Sequence, residues 1–105
     1  MALSLLEDTD EVELGYLLDA PWQGQGYASE AAAALVTWGF EALALPRIVA
    51  LALPEHAASL RVMRRLGMQP DGTAHHHGFD VVRFVLTRAE WEARRAAARR
   101  AGRGP

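Results

Sequence analysis

Residues 16–30 read YLLDAPWQGQGYASE: the end of an apolar strand, a proline, a turn with alternate glycines and the opening of an alanine-rich run. Upstream, Val12–Asp19 (VELGYLLD) alternates as a strand does, with Val12, Leu14, Tyr16 and Leu18 on one face. Pro21 cannot donate to a ladder and closes it, and Gly24 and Gly26 mark the loop. Downstream, alanine and leucine dominate from Ala28 to Leu43, which predicts a helix with Ser29 near its cap and Glu30 at the positive end of its dipole. Leu35, Trp38 and Ala42 share one face of that helix, and Trp38 is therefore expected in the core. Strand, glycine turn and helix in that order form the front of a β-α-β unit.

The remaining elements follow from the same rules. Pro46 ends the helical unit, and Arg47–Leu53 (RIVALAL) is short, apolar and partly β-branched, as a buried strand is. A strand-helix-strand order implies a parallel pair joined by a right-handed crossover. Ala57–Leu66 places Leu60, Met63 and Leu66 at helical spacing and stops at Gly67. Asp71-Gly72 signals a turn, Phe79–Leu86 (FDVVRFVL) a last strand and Ala89–Arg100 a polar terminal helix. Ala2–Leu6 has the composition of a strand end, and Glu7–Glu11 that of an acidic turn. The expected fold class is α/β (α+β): a mixed central sheet with two packed helices.

The chain has 105 residues, half of them hydrophobic, enough for one small domain with a core. It has no cysteine, which excludes disulfides and cysteine-ligated zinc. No apolar run is long enough to span a bilayer, and Met1–Asp10 lacks the pattern of a signal peptide, so a soluble cytoplasmic protein is the default expectation. The net charge of −2 conceals two unlike halves. Residues 1–46 hold eight carboxylates and no base; residues 47–105 hold eleven arginines against five acids. Every base is an arginine, which with the many alanines points to a GC-rich bacterial genome. The basic half reads as solvated surface, and Arg94–Arg103 lacks the interleaved aromatics of a nucleic-acid platform. His75-His76-His77 reads as a turn or edge-strand segment, because neighbours on a strand point to opposite faces and cannot easily converge on one metal ion.

The chemistry lies in the glycine turn. Glycines let backbone approach a ligand, and a helix start offers unpaired amides and a positive dipole end, so phosphate is the natural partner. No Lys-Ser/Thr pair follows, which excludes a Walker loop, and Ser29 stands where a dinucleotide fingerprint needs its third glycine. Gln23-Gly24-Gln25-Gly26-Tyr27-Ala28 instead resembles the Gln/Arg-x-x-Gly-x-Gly/Ala signature of the GNAT N-acetyltransferases. Gly26–Ala31 (GYASEA) and Glu13-Leu14-Gly15-Tyr16 resemble the branch containing the ribosomal-protein N-terminal acetyltransferases. So does Ala57–Met68 (AASLRVMRRLGM), and the likeness covers about Val12–Trp91.

The resemblance implies a partial GNAT fold that binds acetyl-CoA and transfers its acetyl group to a primary amine, on a protein N-terminus or a small molecule. Backbone amides of Gln23, Gly24, Gln25, Gly26, Tyr27 and Ala28 would wrap the coenzyme A diphosphate, with Ser29 adding a hydroxyl. The strand Tyr16-Leu17-Leu18 would splay from RIVALAL and pair with the pantetheine arm. His56 stands where an asparagine commonly contacts coenzyme A, and Met63 where many members carry a tyrosine general acid. Ser59 is the remaining candidate for protonating the thiolate, with a helix-capping role as its alternative. Glu13 is a candidate base acting through water, or an exposed strand carboxylate.

The resemblance also implies N-terminal strands and helices for which Met1–Glu11 leaves no room, and so a truncated domain over residues 1–91 with an arginine-rich tail over 92–105. A strand lacking its neighbour would make a weakly stable monomer or a homodimer through the exposed sheet edge. Alternatives to an active enzyme are a non-catalytic acyl-CoA-binding or dimerisation module and an inactive fragment.

Overall fold

The computed structural model describes residues 2–5, 11–15, 25–76 and 78–102. In chain order its elements are β1 (Ala2–Leu5), β2 (Val12–Gly15), α1 (Gln25–Ala42), β3 (Arg47–Ala52), α2 (Ala57–Arg65), β4 (Gln69–His76), β5 (Phe79–Thr87) and α3 (Arg88–Gly102). They build a mixed five-stranded sheet in the order β1-β2-β3-β5-β4. Strands β2 and β3 run parallel, as their connection through α1 requires. The pairs β1/β2, β3/β5 and β4/β5 are antiparallel.

Alternation along the strands assigns the two faces of the sheet. Leu14, Ile48, Ala50, Ala52, Phe84 and Leu86 share one core with Val36, Phe40, Met63 and Trp91 of the three helices. All three helices therefore cover the same face. The opposite parity places Glu13, Val49, Leu51, Val81 and Arg83 on the other face, where Val49 is fully buried.

Helix α1 begins three residues earlier than its composition predicted. One glycine near a helix start costs about 1 kcal/mol, less than the many alanines behind it recover. The face of α1 turned to the sheet is also not the expected one. Ala32, Val36, Gly39 and Phe40 are buried, whereas Trp38 is 52% exposed. The reason is steric. A Cβ at Gly39 would lie 2.8 Å from Leu3 Cδ1 and 3.1 Å from Ile48 Cδ1, so the helix approaches the sheet along its small residues and has no room there for an indole.

Helix α2 buries Ser59, Val62 and Met63 and exposes its arginines. It stops as Gly67 predicted, in a Schellman motif. The amides of Gly67 and Met68 donate to the carbonyls of Arg64 and Met63, each at 3.0 Å, and Gly67 has φ +86°. Asp71-Gly72 is not a turn between elements. It lies within β4, at a register irregularity between Pro70 and Thr73, with Gly72 at φ +79°. A bulge and a turn need the same backbone freedom, and only the long partner β5 decides for the bulge. Helix α3 is less polar in its role than in its composition: Trp91 is buried and stacks on Phe40 at 4.9 Å between ring centroids. Arg88 donates to the carbonyl of Phe40 at 2.7 Å, tying the α3 start to the end of α1.

Candidate functional site

The site begins where the parallel ladder ends. Strands β2 and β3 pair at Val12↔Ile48 and Glu13↔Val49. One step further on, Leu14 and Gly15 pair with Leu3 and Ala2 of β1, while Ala50–Ala52 pair with β5. Among the described residues no register pair joins Leu14–Gly15 to Ala50–Ala52. The two strands thus part at their carboxyl ends, each still supported on its outer side. Backbone groups on the inner edges are left facing the gap, which suits an extended ligand that can pair with a strand.

The helices bring two more groups to that end of the sheet. Helix α1 has 18 residues, a length of about 27 Å, against about 20 Å for the six residues of β3. Running back over the sheet from the short connection at Pro46, it therefore places Gln25 at or beyond the carboxyl ends of the strands. The first four amides of a helix have no intrahelical partner, so those of Gln25, Gly26, Tyr27 and Ala28 form the anion-ready end of α1. Ser29 is the fifth helical residue, one turn inside the start rather than at the cap. Glu30 lies beyond the first turn, which contains no carboxylate to compete for the dipole. Tyr16, Leu17, Leu18, Gln23 and Gly24 lie outside the described residues.

Helix α2 starts directly after β3 at the same end. His56 is its N-cap residue, half-buried, with φ −86° and ψ 78°, and its imidazole makes no capping bond. Its backbone is anchored instead, donating to Leu53 at 3.0 Å and accepting from Leu60 at 3.1 Å. Ser59 is the third residue of α2 and 5% exposed. Because His56 occupies the cap position, the capping alternative for Ser59 does not hold. Met63 is fully buried in the core and serves packing.

Glu13 is half-buried and paired with Val49 and Ser4. Its neighbour Leu14 faces the helices, so Glu13 projects from the other face. The structure thus gathers the α1 start, His56 and Ser59 on the helix side, with Glu13 across the sheet from them. Only the gap between β2 and β3 connects the two sides.

A feature not found from the sequence lies on the Glu13 face. Arg83 grips Glu11 with both terminal nitrogens, one bond being 2.7 Å, and its Nε donates to Asp71 at 2.8 Å. These bonds hold the Glu11 carboxyl below its usual range, chiefly through the Arg83 hydrogen bonds, and raise the arginine further. The partners are 72 and 12 residues from Arg83, too far for any local pattern. The available signal was the arginine itself, a lone charge within FDVVRFVL that needs a carboxylate to lie on a sheet face. The histidines fall on edge strand β4, as expected for His75 and His76. His75 Nδ1 lies 3.1 Å from Asp80 Oδ1 of β5, and His77 is outside the described residues. Among the described residues, no helix is long and apolar enough to cross a membrane.

The sequence model of the acetyltransferase (GNAT) domain family matches residues 2–69, which hold both the parting strands and the two helix starts. This chain belongs to the GNAT acetyltransferase family. It is 43% identical over 60 residues to the uncharacterized N-acetyltransferase YnaD of Bacillus subtilis, a match covering 57% of this chain and 35% of YnaD. It is 32% identical over 91 residues to the uncharacterized N-acetyltransferase p20 of Bacillus licheniformis, covering 81% of this chain and 51% of p20. Among solved structures, the ribosomal-protein-S5-alanine acetyltransferase of Vibrio fischeri superposes with a TM-score of 0.68 at 28% identity, over 77% of this chain and 48% of that one. The GNAT chain described here spans about half the length, or less, of these relatives.

Proposed function

We propose that this chain is the acetyl-CoA-binding portion of an N-acetyltransferase that acts on a primary amine. The observation that carries the reading is the parting of β2 from β3 beside the free amides of the α1 start, in a chain of the GNAT family. Those amides suit a diphosphate, and the unpaired inner edge of β3 suits the amide groups of a pantetheine arm. Residues 16–24 connect the two, and Tyr16–Leu18 would supply the second edge. Acetyl-CoA would bring the activated thioester; everything else falls to the chain.

The chain has to hold the thioester carbonyl in the gap, where strand amides would stabilise the oxyanion as the amine adds. The C–N bond forms and the C–S bond breaks. The departing thiolate takes a proton, for which Ser59 on the helix side is the nearest candidate in kind, and His56 is placed to contact the coenzyme. The amine sheds its proton on the far face, where Glu13 would accept it through water. The opposite placement of Ser59 and Glu13 fits donor and acceptor entering from opposite sides. The acceptor class is a protein N-terminus or a small-molecule amine.

A non-catalytic acyl-CoA-binding module is favoured by one observation: buried Met63 has no proton to give where many family members carry a tyrosine. Two measurements separate the readings. Calorimetry with acetyl-CoA should show binding that Gly26→Glu weakens by at least about a hundredfold, since like charge would meet the diphosphate. The same substitution places a carboxylate favourably at a helix start, so folding is retained. Unaltered affinity in the folded variant refutes the site. Acetylation of amine and peptide acceptors then distinguishes an enzyme from a binding module.

A further inference from the structure

The outer surface of the helix layer carries an unlike pair. On α1, Ala31, Ala34, Trp38 and Ala42 are all exposed and fall within an arc about 80° wide. This second apolar stripe is separate from the buried one, and Trp38 at 52% exposure is its largest member. Glu30 and Glu41 border it, and α1 contains no cation. Helix α2 shares the same layer, since both helices contribute to one core on one face of the sheet. Its outward residues are Arg61, Arg64 and Arg65 among alanines, and it contains no carboxylate. Among the described residues Arg61 and Arg64 have no carboxylate partner, whereas Arg95 of α3 is taken up by Glu41 at 2.8 Å.

We propose that this helix layer is a self-complementary docking face for a second copy of the same chain. A two-fold axis lying between two such layers, along the helices, sets α1 of one copy over α2 of its partner and α2 over α1. Each contact is then made twice, as an isologous interface requires. Trp38 is covered by the alanines and arginine stems of the facing α2, and its indole face accepts a guanidinium. Glu30 and Glu41 meet the facing arginines. Stacking α1 on α1 instead would bring like charges together, so the charge pattern selects the crossed arrangement. The inference is independent of acetyl-CoA binding, because the surface faces away from the sheet and its parted strands.

Sedimentation velocity on the full chain tests it. A monomer–dimer equilibrium in the micromolar range is expected, weakened at least about tenfold when salt rises from about 50 to about 500 mM. Trp38→Ser, at a half-exposed position that leaves the core intact, should weaken it by a similar factor. Arg61→Glu/Arg64→Glu should sediment as a monomer, and so should Glu30→Arg/Glu41→Arg. Mixed in equal amounts, these two variants should form a heterodimer, because both crossed contacts are again attractive. Recovery on mixing shows that each variant was folded. A wild type monomeric throughout the range overturns the proposal. So does a dimer that survives either charge reversal, which would place the contact elsewhere, such as along the β1 edge. Folded variants that stay monomeric on mixing overturn it as well.

Discussion

Replacing Arg83 by methionine keeps the stem of the side chain and removes its three charge-assisted hydrogen bonds. Two go to Glu11, whose side chain is 19% exposed, and one to Asp71, which is 51% exposed. Their weights differ for that reason. A hydrogen bond to a charged group in a partly buried site contributes about 1.5–3 kcal/mol, and a solvent-exposed ion pair about 0–1 kcal/mol. Arg83→Met should therefore cost about 2–3 kcal/mol at pH 7, most of it from Glu11 left without its main counter-ion. For a chain of this size that lowers Tm by roughly 10–15 °C. The cost depends on pH with a definite sign. The Glu11 carboxyl is held below its model value of 4.5 in the folded chain, so its contribution is full above that value. It is lost as pH falls through the lowered folded value, and the gap between wild type and variant narrows in acid. Urea melts of Arg83→Met, Glu11→Gln, Asp71→Asn and the two doubles, at pH 7 and through the acid range, measure each coupling. A stronger coupling to Asp71 than to Glu11, or a penalty unchanged in acid, would refute the reasoning.

Trp91→Ala removes a buried indole stacked on Phe40 and should cost about 3–5 kcal/mol in equilibrium unfolding; a cost under about 1 kcal/mol would show α3 to be dispensable to the core. Gly67→Ala places a Cβ at φ +86° and against the Arg94 guanidinium, so a loss of about 1–2 kcal/mol is expected by thermal melting, with Arg94 free to move aside. Under the proposed chemistry Ser59→Ala should lower kcat about a hundredfold while acetyl-CoA affinity is kept. An unchanged kcat in an active preparation removes Ser59 from the proton path.

The order of elements was legible because each left a local mark: alternation in VELG, an unbroken apolar run in RIVALA, Gly67 at a helix end. The phosphate-ready turn was legible for the same reason, since glycine spacing and a helix start are properties of neighbours in the chain. The face of α1 was not. That helix is apolar on two sides, and Leu35, Trp38 and Ala42 do share a face, but only the close approach of Gly39 to Leu3 and Ile48 decides which side meets the sheet. Ser59 showed a similar ambiguity: its type fits a cap, and His56 takes that place in the fold.

By itself, then, the sequence determined the element order, the parallel pair and the family, because helix and strand periods and turn residues act over a few neighbours. Tertiary structure alone decided which apolar face of α1 is buried, that Asp71-Gly72 is a bulge, and that Arg83 joins Glu11 to Asp71. It also decided that Ser59 and Glu13 stand on opposite sides of the sheet. Each of these depends on strands and helices remote in sequence coming within a few ångströms, and such contacts are selected by packing and charge pairing over the whole domain rather than by any local pattern.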